Sequence, residues 1–309
     1  MSNAKNSNRF MLALLIWTIP AGLIVYALTY HFFITTGMLL FLSQALIFGI
    51  PCIIVFIANR KRIKEILPIK KMGIINILLI IVMSIVIQPL LMFISSIMSL
   101  LTPNIIADVM VNMNRESHFL LVLVFIAVVP AVFEELVFRG IIFAGYKEVP
   151  IFKAALLNGL LFGIIHLNMQ QFLYAAILGF ILCYFVFYTK SIISAVLAHF
   201  VLNGTQAGLG ALLLNSQQDI APYNEPSMLM TIVITGVAGA VGLAIFLAVY
   251  KKFKSHNTAC ESEVDVVPEG TDPPTPSEQP KLFTAPVYIS IALFVVFVVL
   301  TFLPQLLHG

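Results

Sequence analysis

The stretch Phe133-Glu134-Glu135-Leu136-Val137-Phe138-Arg139-Gly140 sets three charges inside a long apolar run. Its flanks, Phe119 to Val132 and Ile141 to Ala144, contain no ionisable side chain. These charges therefore cannot be decoration on a soluble helix, and they lie within or at the edge of a membrane. Ionisable groups there cost about 2.5 to 3.5 kcal/mol each on insertion scales, so the default reading of such a cluster is a functional site.

Outside this stretch the chain confirms the setting. Of its 309 residues 60% are hydrophobic and only 10% charged, a balance far from that of soluble domains. A spanning helix needs about 20 mostly apolar residues. Segments of that kind fall near residues 10–30, 38–58, 73–101, 118–144, 151–167, 171–188, 191–214, 228–250 and 286–304. The fold expected is an all-α polytopic membrane helix bundle of about nine transmembrane helices, with its chemistry in the fourth to seventh. Cys52, Cys183 and Cys260 are odd in number and far apart, which fits neither a disulfide framework nor a cysteine metal site. The first apolar run is as long as a span and lacks a small-residue cleavage site, so no cleavable signal peptide is expected.

The cations set the orientation. With the N-terminus cytoplasmic, all of the 17 Lys and Arg residues except Arg115 fall at or toward the cytoplasmic side, and the C-terminus lies outside. The organisation expected is N-terminal spans over 1–117, a catalytic membrane core over 118–214 and an eighth span with its flanks over 215–254. An acidic, proline-rich cytoplasmic loop over 255–285 and a ninth span over 286–309 complete it. The loop carries Glu261, Glu263, Asp265, Glu269, Asp272 and Glu278 with few large apolar groups, a composition that cannot offset its ordering entropy.

Within the spans, the central acidic residues are Glu134 and Glu135 and the central histidines are His166 and His199. Glu135 and Arg139 stand at i and i+4 with the acid first, the favoured order for an intrahelical ion pair. Glu134 is turned about 100° from Glu135 and remains available. On the fifth span Asn158, Phe162 and His166 recur at steps of four; on the seventh, His199 and Asn203 share a face. A carboxylate, two imidazoles and a carboxamide suit the activation of water and the stabilisation of an oxyanion. Depths along the helices, roughly 15 Å from the cytoplasmic end for Glu134, 12 Å for His199 and 22 Å for His166, make His166 the outlier. The glycines at 204 and 208, and at 236, 239 and 242, read as close helix contacts. Pro130, one turn before Glu134, is expected to free backbone carbonyls near the site.

The ordered set Glu134-Glu135-x-x-x-Arg139, Phe162-x-x-x-His166 and His199-x-x-x-Asn203 resembles the CAAX protease and bacteriocin-processing (CPBP, or Abi) family of intramembrane proteases. Type II CAAX prenyl endopeptidases are its best-known members. The resemblance covers about residues 118–210. It implies hydrolysis of a peptide bond in a membrane-associated peptide or protein, with Glu134 and His166 activating water and His199 and Asn203 stabilising the oxyanion. Glu135 and Arg139 would support that geometry. It leaves metal dependence open: Glu134, His166 and His199 would be the ligands of a zinc ion in a metalloprotease of this kind.

The expected partners are a membrane peptide or protein substrate and the lipid bilayer, with no nucleic acid. The composition looks bacterial, which favours a bacteriocin, leader or signalling peptide over a prenylated substrate. A non-catalytic membrane immunity or peptide-binding protein and a proton-coupled transporter are the competing readings, since intramembrane Glu and His also form proton relays.

Overall fold

The computed structural model describes residues 3–102, 105–216, 227–262 and 281–308. Among these the chain is helical with no strand, and its apolar helices follow the hydropathy of the sequence. They are α1 (Ala4–His31), α2 (Thr36–Ala58), α3 (Ile74–Met98), α4 (Ile105–Glu116) and α5 (Phe119–Ile142). There follow α6 (Ile151–Ile165), α7 (Met169–Thr189), α8 (Ile192–Ser216), α9 (Met228–Ser262) and α10 (Ala285–His308). All nine expected segments are helices. Among the described residues seven of them are long and apolar enough to cross a membrane, while Ile151–Ile165 and Ala285–Thr301 form shorter apolar helices. Large apolar side chains such as Leu23, Ile57, Leu78, Leu120, Val237 and Leu300 are more than half exposed. In water that surface would drive aggregation; it fits hydrocarbon.

Two differences from the sequence reading concern segment ends. α9 continues to Ser262, so the first eight residues of the expected acidic loop are helical; residues 263–280 lie outside the described residues. α4 is an additional helix between the third and fourth spans. Its Glu116 accepts a hydrogen bond from the Thr36 backbone N–H at the start of α2 (2.8 Å), which holds that carboxyl below its ordinary pKa.

α6 and α7 form a close helical hairpin. Its 15-residue first arm rises only about 22 Å, short of the roughly 30 Å of a hydrocarbon core. The turn at its tip carries Leu167 at φ 46°, and Asn168 caps α7 by accepting from the Gln170 N–H (2.9 Å). Glycine permits the approach of the two arms. A Cβ on Gly159 would stand 2.5 Å from the Ala176 carbonyl oxygen, and one on Gly163 2.6 Å from that of Phe172. A Cβ on Gly179 would meet the Gly159 Cα at 2.8 Å.

The glycines singled out in the sequence divide. Gly236, Gly239 and Gly242 do hold α9 against α3, where added Cβ atoms would collide with Phe93, Leu90 and Val86. Gly204 and Gly208 meet nothing closer than 3.8 Å and are not close contacts.

Gly159→Ala should therefore destabilise the protein by about 1 to 3 kcal/mol through overpacking against backbone that cannot yield. Gly208→Ala, whose nearest neighbour is the Phe119 ring at 4.0 Å, should be neutral or mildly stabilising. Thermal unfolding of both variants in the same detergent checks this contrast.

Candidate active site

The fourth span, α5, is irregular on both sides of its two glutamates. A π-helical turn covers Val124–Val128, a short α-helical piece runs Val129–Glu135, and a second π segment covers Leu136–Ile142. Such turns commonly mark functional sites because they leave backbone carbonyls without an intrahelical donor. Side chains from other helices take up that capacity. Pro130 has no N–H to offer the Ile126 carbonyl four residues back, and Asn203 Nδ2 of α8 donates to it (3.1 Å). In the second π segment, Asn158 Nδ2 of α6 donates to the Phe138 carbonyl (2.9 Å).

The two glutamates part as helical geometry requires. Glu135, fully buried, accepts on a single oxygen, Oε1, from Arg139 Nη1 (2.8 Å) and from His199 Nδ1 (2.8 Å). This pairing joins α5 to α8. The second guanidinium nitrogen, Nη2, donates to the Gly179 carbonyl on α7 (3.1 Å). Glu134 faces α2, where Gln44 Nε2 donates to its Oε1 (2.7 Å), while its Oε2 is buried with no hydrogen-bond partner.

Phe162 is the hub between these groups. Its ring lies 4.4 Å below the Arg139 guanidinium, 5.0 Å from the His166 ring and 6.0 Å from the His199 ring, the two imidazoles meeting it edge-on. His166, at the C-terminal end of α6 and partly exposed, points Nδ1 at the Phe162 carbonyl oxygen (2.7 Å). A carbonyl can only accept, so Nδ1 carries the proton and Nε2 is left with its lone pair. On His199 the Glu135 carboxylate likewise holds the proton at Nδ1.

Of the six residues singled out in the sequence, Glu135, Arg139 and His199 are thus joined directly. His166 meets His199 across Phe162, while Glu134 is bonded to Gln44 of α2. Asn203 is directed one helical turn away from His199, to the Ile126 carbonyl, so the two do not aim at a single point. Sequence reasoning passed over Gln44, since the inventory counted ionisable groups; an amide in the otherwise apolar second span was the available signal. Among the described residues no group of three or more His, Cys, Asp and Glu side chains is gathered closely enough to hold a metal ion. The free Nε2 atoms and Glu134 Oε2 have the right chemistry for zinc, but their placement does not fit one, and no step below is routed through a metal.

Sequence comparison bears on the same segment of the chain. Residues 116–205 match the model described as type II CAAX prenyl endopeptidase Rce1-like, a segment that contains every motif residue from Glu134 to Asn203. Over that segment the chain is similar to the CAAX protease family. A Bacillus subtilis (strain 168) protein named "Putative membrane peptidase YdiL" is 31% identical over 84 residues, covering 27% of this chain and 34% of that protein. The chain thus matches about a third of the length of that curated relative. No solved structure gives a significant match.

Removing one member of the buried pair should be costly. Arg139→Met leaves the Glu135 charge without its guanidinium and should lose about 3 to 5 kcal/mol, whereas the double variant Glu135→Leu with Arg139→Met should lose much less. Unfolding equilibria of the single and double variants in mixed micelles read the difference.

Proposed function

We propose that this protein is an intramembrane endopeptidase that cleaves a membrane-associated peptide or protein, with Glu134 as the general base. The observation that carries this reading is the unequal treatment of adjacent carboxylates. Glu135 Oε1 is paired with Arg139 and His199, while Glu134, also buried, is met by the neutral Gln44 amide and by no cation among the described residues. Each carboxylate keeps an Oε2 without a hydrogen-bond partner, so the difference lies in charge pairing, and a network that merely packed helices would pair both charges.

In the proposed reaction Glu134 Oε2 takes a proton from water, and His166 Nε2 accepts a hydrogen bond from the same water. The hydroxide oxygen bonds to the scissile carbonyl carbon, and the carbonyl π electrons move onto oxygen. His199, its Nδ1–H held by Glu135, carries an Nε2–H toward that oxyanion when doubly protonated. Asn203 retains one amide N–H beyond the one given to Ile126. Collapse of the tetrahedral intermediate breaks the C–N bond, and the proton held by Glu134 passes to the departing nitrogen, which regenerates the base. The N-terminus is cytoplasmic and the C-terminus extracellular in this reading, following the cation asymmetry.

The test is cleavage by the purified full chain in proteoliposomes. Two internally quenched probes are used: an S-farnesylated CAAX peptide and an unprenylated, membrane-anchored leader-type peptide. Wild type should cut the unprenylated probe, and Glu134→Gln or His166→Ala should lower kcat/KM by about 100-fold or more. No cleavage of either probe, or equal cleavage by the variants, overturns the reading. Retention of activity after a membrane-permeable zinc chelator, with no zinc in the protein, supports the glutamate route. Loss that zinc restores refutes it.

A further inference from the structure

Gln44 lies outside the matched segment and belongs to none of the three motifs, yet it is the residue bonded to the proposed base. α2 is built to present it. A π-helical turn, Ala45–Gly49, follows Gln44 directly, and Pro51 cannot donate a backbone hydrogen bond to it. The Leu46 carbonyl in that turn accepts from Trp17 Nε1 of α1 (2.8 Å). α2 is pressed onto α5 at a glycine on each side of Gln44. A Cβ on Gly37 would stand 2.7 Å from the Phe125 ring, and one on Gly49 2.9 Å from the ring of Phe133, the residue before Glu134.

The pairing itself is lopsided. Gln44 donates to Glu134 Oε1, but Gln44 Oε1 and Glu134 Oε2 are both buried acceptors without a donor. Unmet buried acceptors are costly, and here the two belong to one bonded pair. Two acceptors carried on one bonded pair complement a ligand with two donor protons, which describes water. From this we infer that Gln44 is a positioning residue for Glu134. It fixes Oε1 so that Oε2 alone receives the proton, and its own carbonyl oxygen shares the second O–H of the attacking water with His166 Nε2 in a three-centre hydrogen bond. The inference rests on the endopeptidase reading for its kinetic consequence, but the hydrogen bond can be tested without activity.

The experiment combines infrared spectroscopy and kinetics on the full chain in proteoliposomes. The carboxylate band of Glu134 is identified by its loss in Glu134→Gln. It should shift in Gln44→Met, which removes the donor at similar volume, and lie between the two positions in Gln44→Asn. With the unprenylated leader-type probe, Gln44→Met should lower kcat by about 10- to 100-fold, the effect of losing a hydrogen bond to a charged group, and leave KM within about threefold. Gln44→Asn should recover part of kcat. A Glu134 band that does not move in Gln44→Met overturns the inference whatever the activity. So does a shifted band with unchanged kcat, or a loss confined to KM. If wild type cuts neither probe, the endopeptidase reading fails by itself, and a shifted band still upholds the contact between Gln44 and Glu134.

Discussion

The structure turns on one oxygen atom. Glu135 Oε1 accepts from a guanidinium and an imidazole at once, both at 2.8 Å, with all three side chains buried. Charges in such a medium are tolerated only when paired, and a pair once formed is hard to leave because either partner alone would be an uncompensated buried ion. This pairing decides where three helices lie: α5 supplies the acid and the arginine, α8 the histidine, and α7 the Gly179 carbonyl that takes the other end of the guanidinium. The place of Phe162 follows, since its ring fills the space beneath the guanidinium and between the two imidazoles.

Backbone irregularity sets the remaining positions. The carbonyls of Leu46, Ile126 and Phe138 all lie in π-helical turns, and each receives a hydrogen bond from a side chain on another helix: Trp17, Asn203 and Asn158. An isolated regular helix would have no acceptor to offer there. Each departure from α-helical geometry thus becomes an interhelical bond that holds without exposing backbone to lipid. Asn203 gains a structural duty from this arrangement that its spacing to His199 does not reveal.

Much of the fold was legible because hydropathy is a property of each segment alone: every apolar stretch read from the sequence is a helix. The separation of Glu134 from Glu135 was legible for a similar local reason, the rotation between consecutive helical residues. What depends on two helices at once was not. Gly159, Gly163 and Gly179 look no different in sequence from Gly204 and Gly208, yet only the first group lies against a neighbouring backbone. Gln44 is 90 residues from the carboxylate it holds. The short rise of α6 also leaves His166 at the tip of a hairpin rather than at the end of a complete span. Its link to the rest of the cluster runs through Phe162.

The division of labour between adjacent carboxylates is the central claim, and paired unfolding measurements on Glu134→Gln and Glu135→Gln test it most directly. Glu135→Gln removes the charge that balances Arg139 and His199 and should lower the thermal midpoint by about 5 to 10 °C. Glu134→Gln keeps an acceptor for Gln44 and removes a charge that no cation neutralises by contact, so its midpoint should stay within about 2 °C of wild type or rise. Equal losses, or a larger loss for Glu134→Gln, would contradict the account.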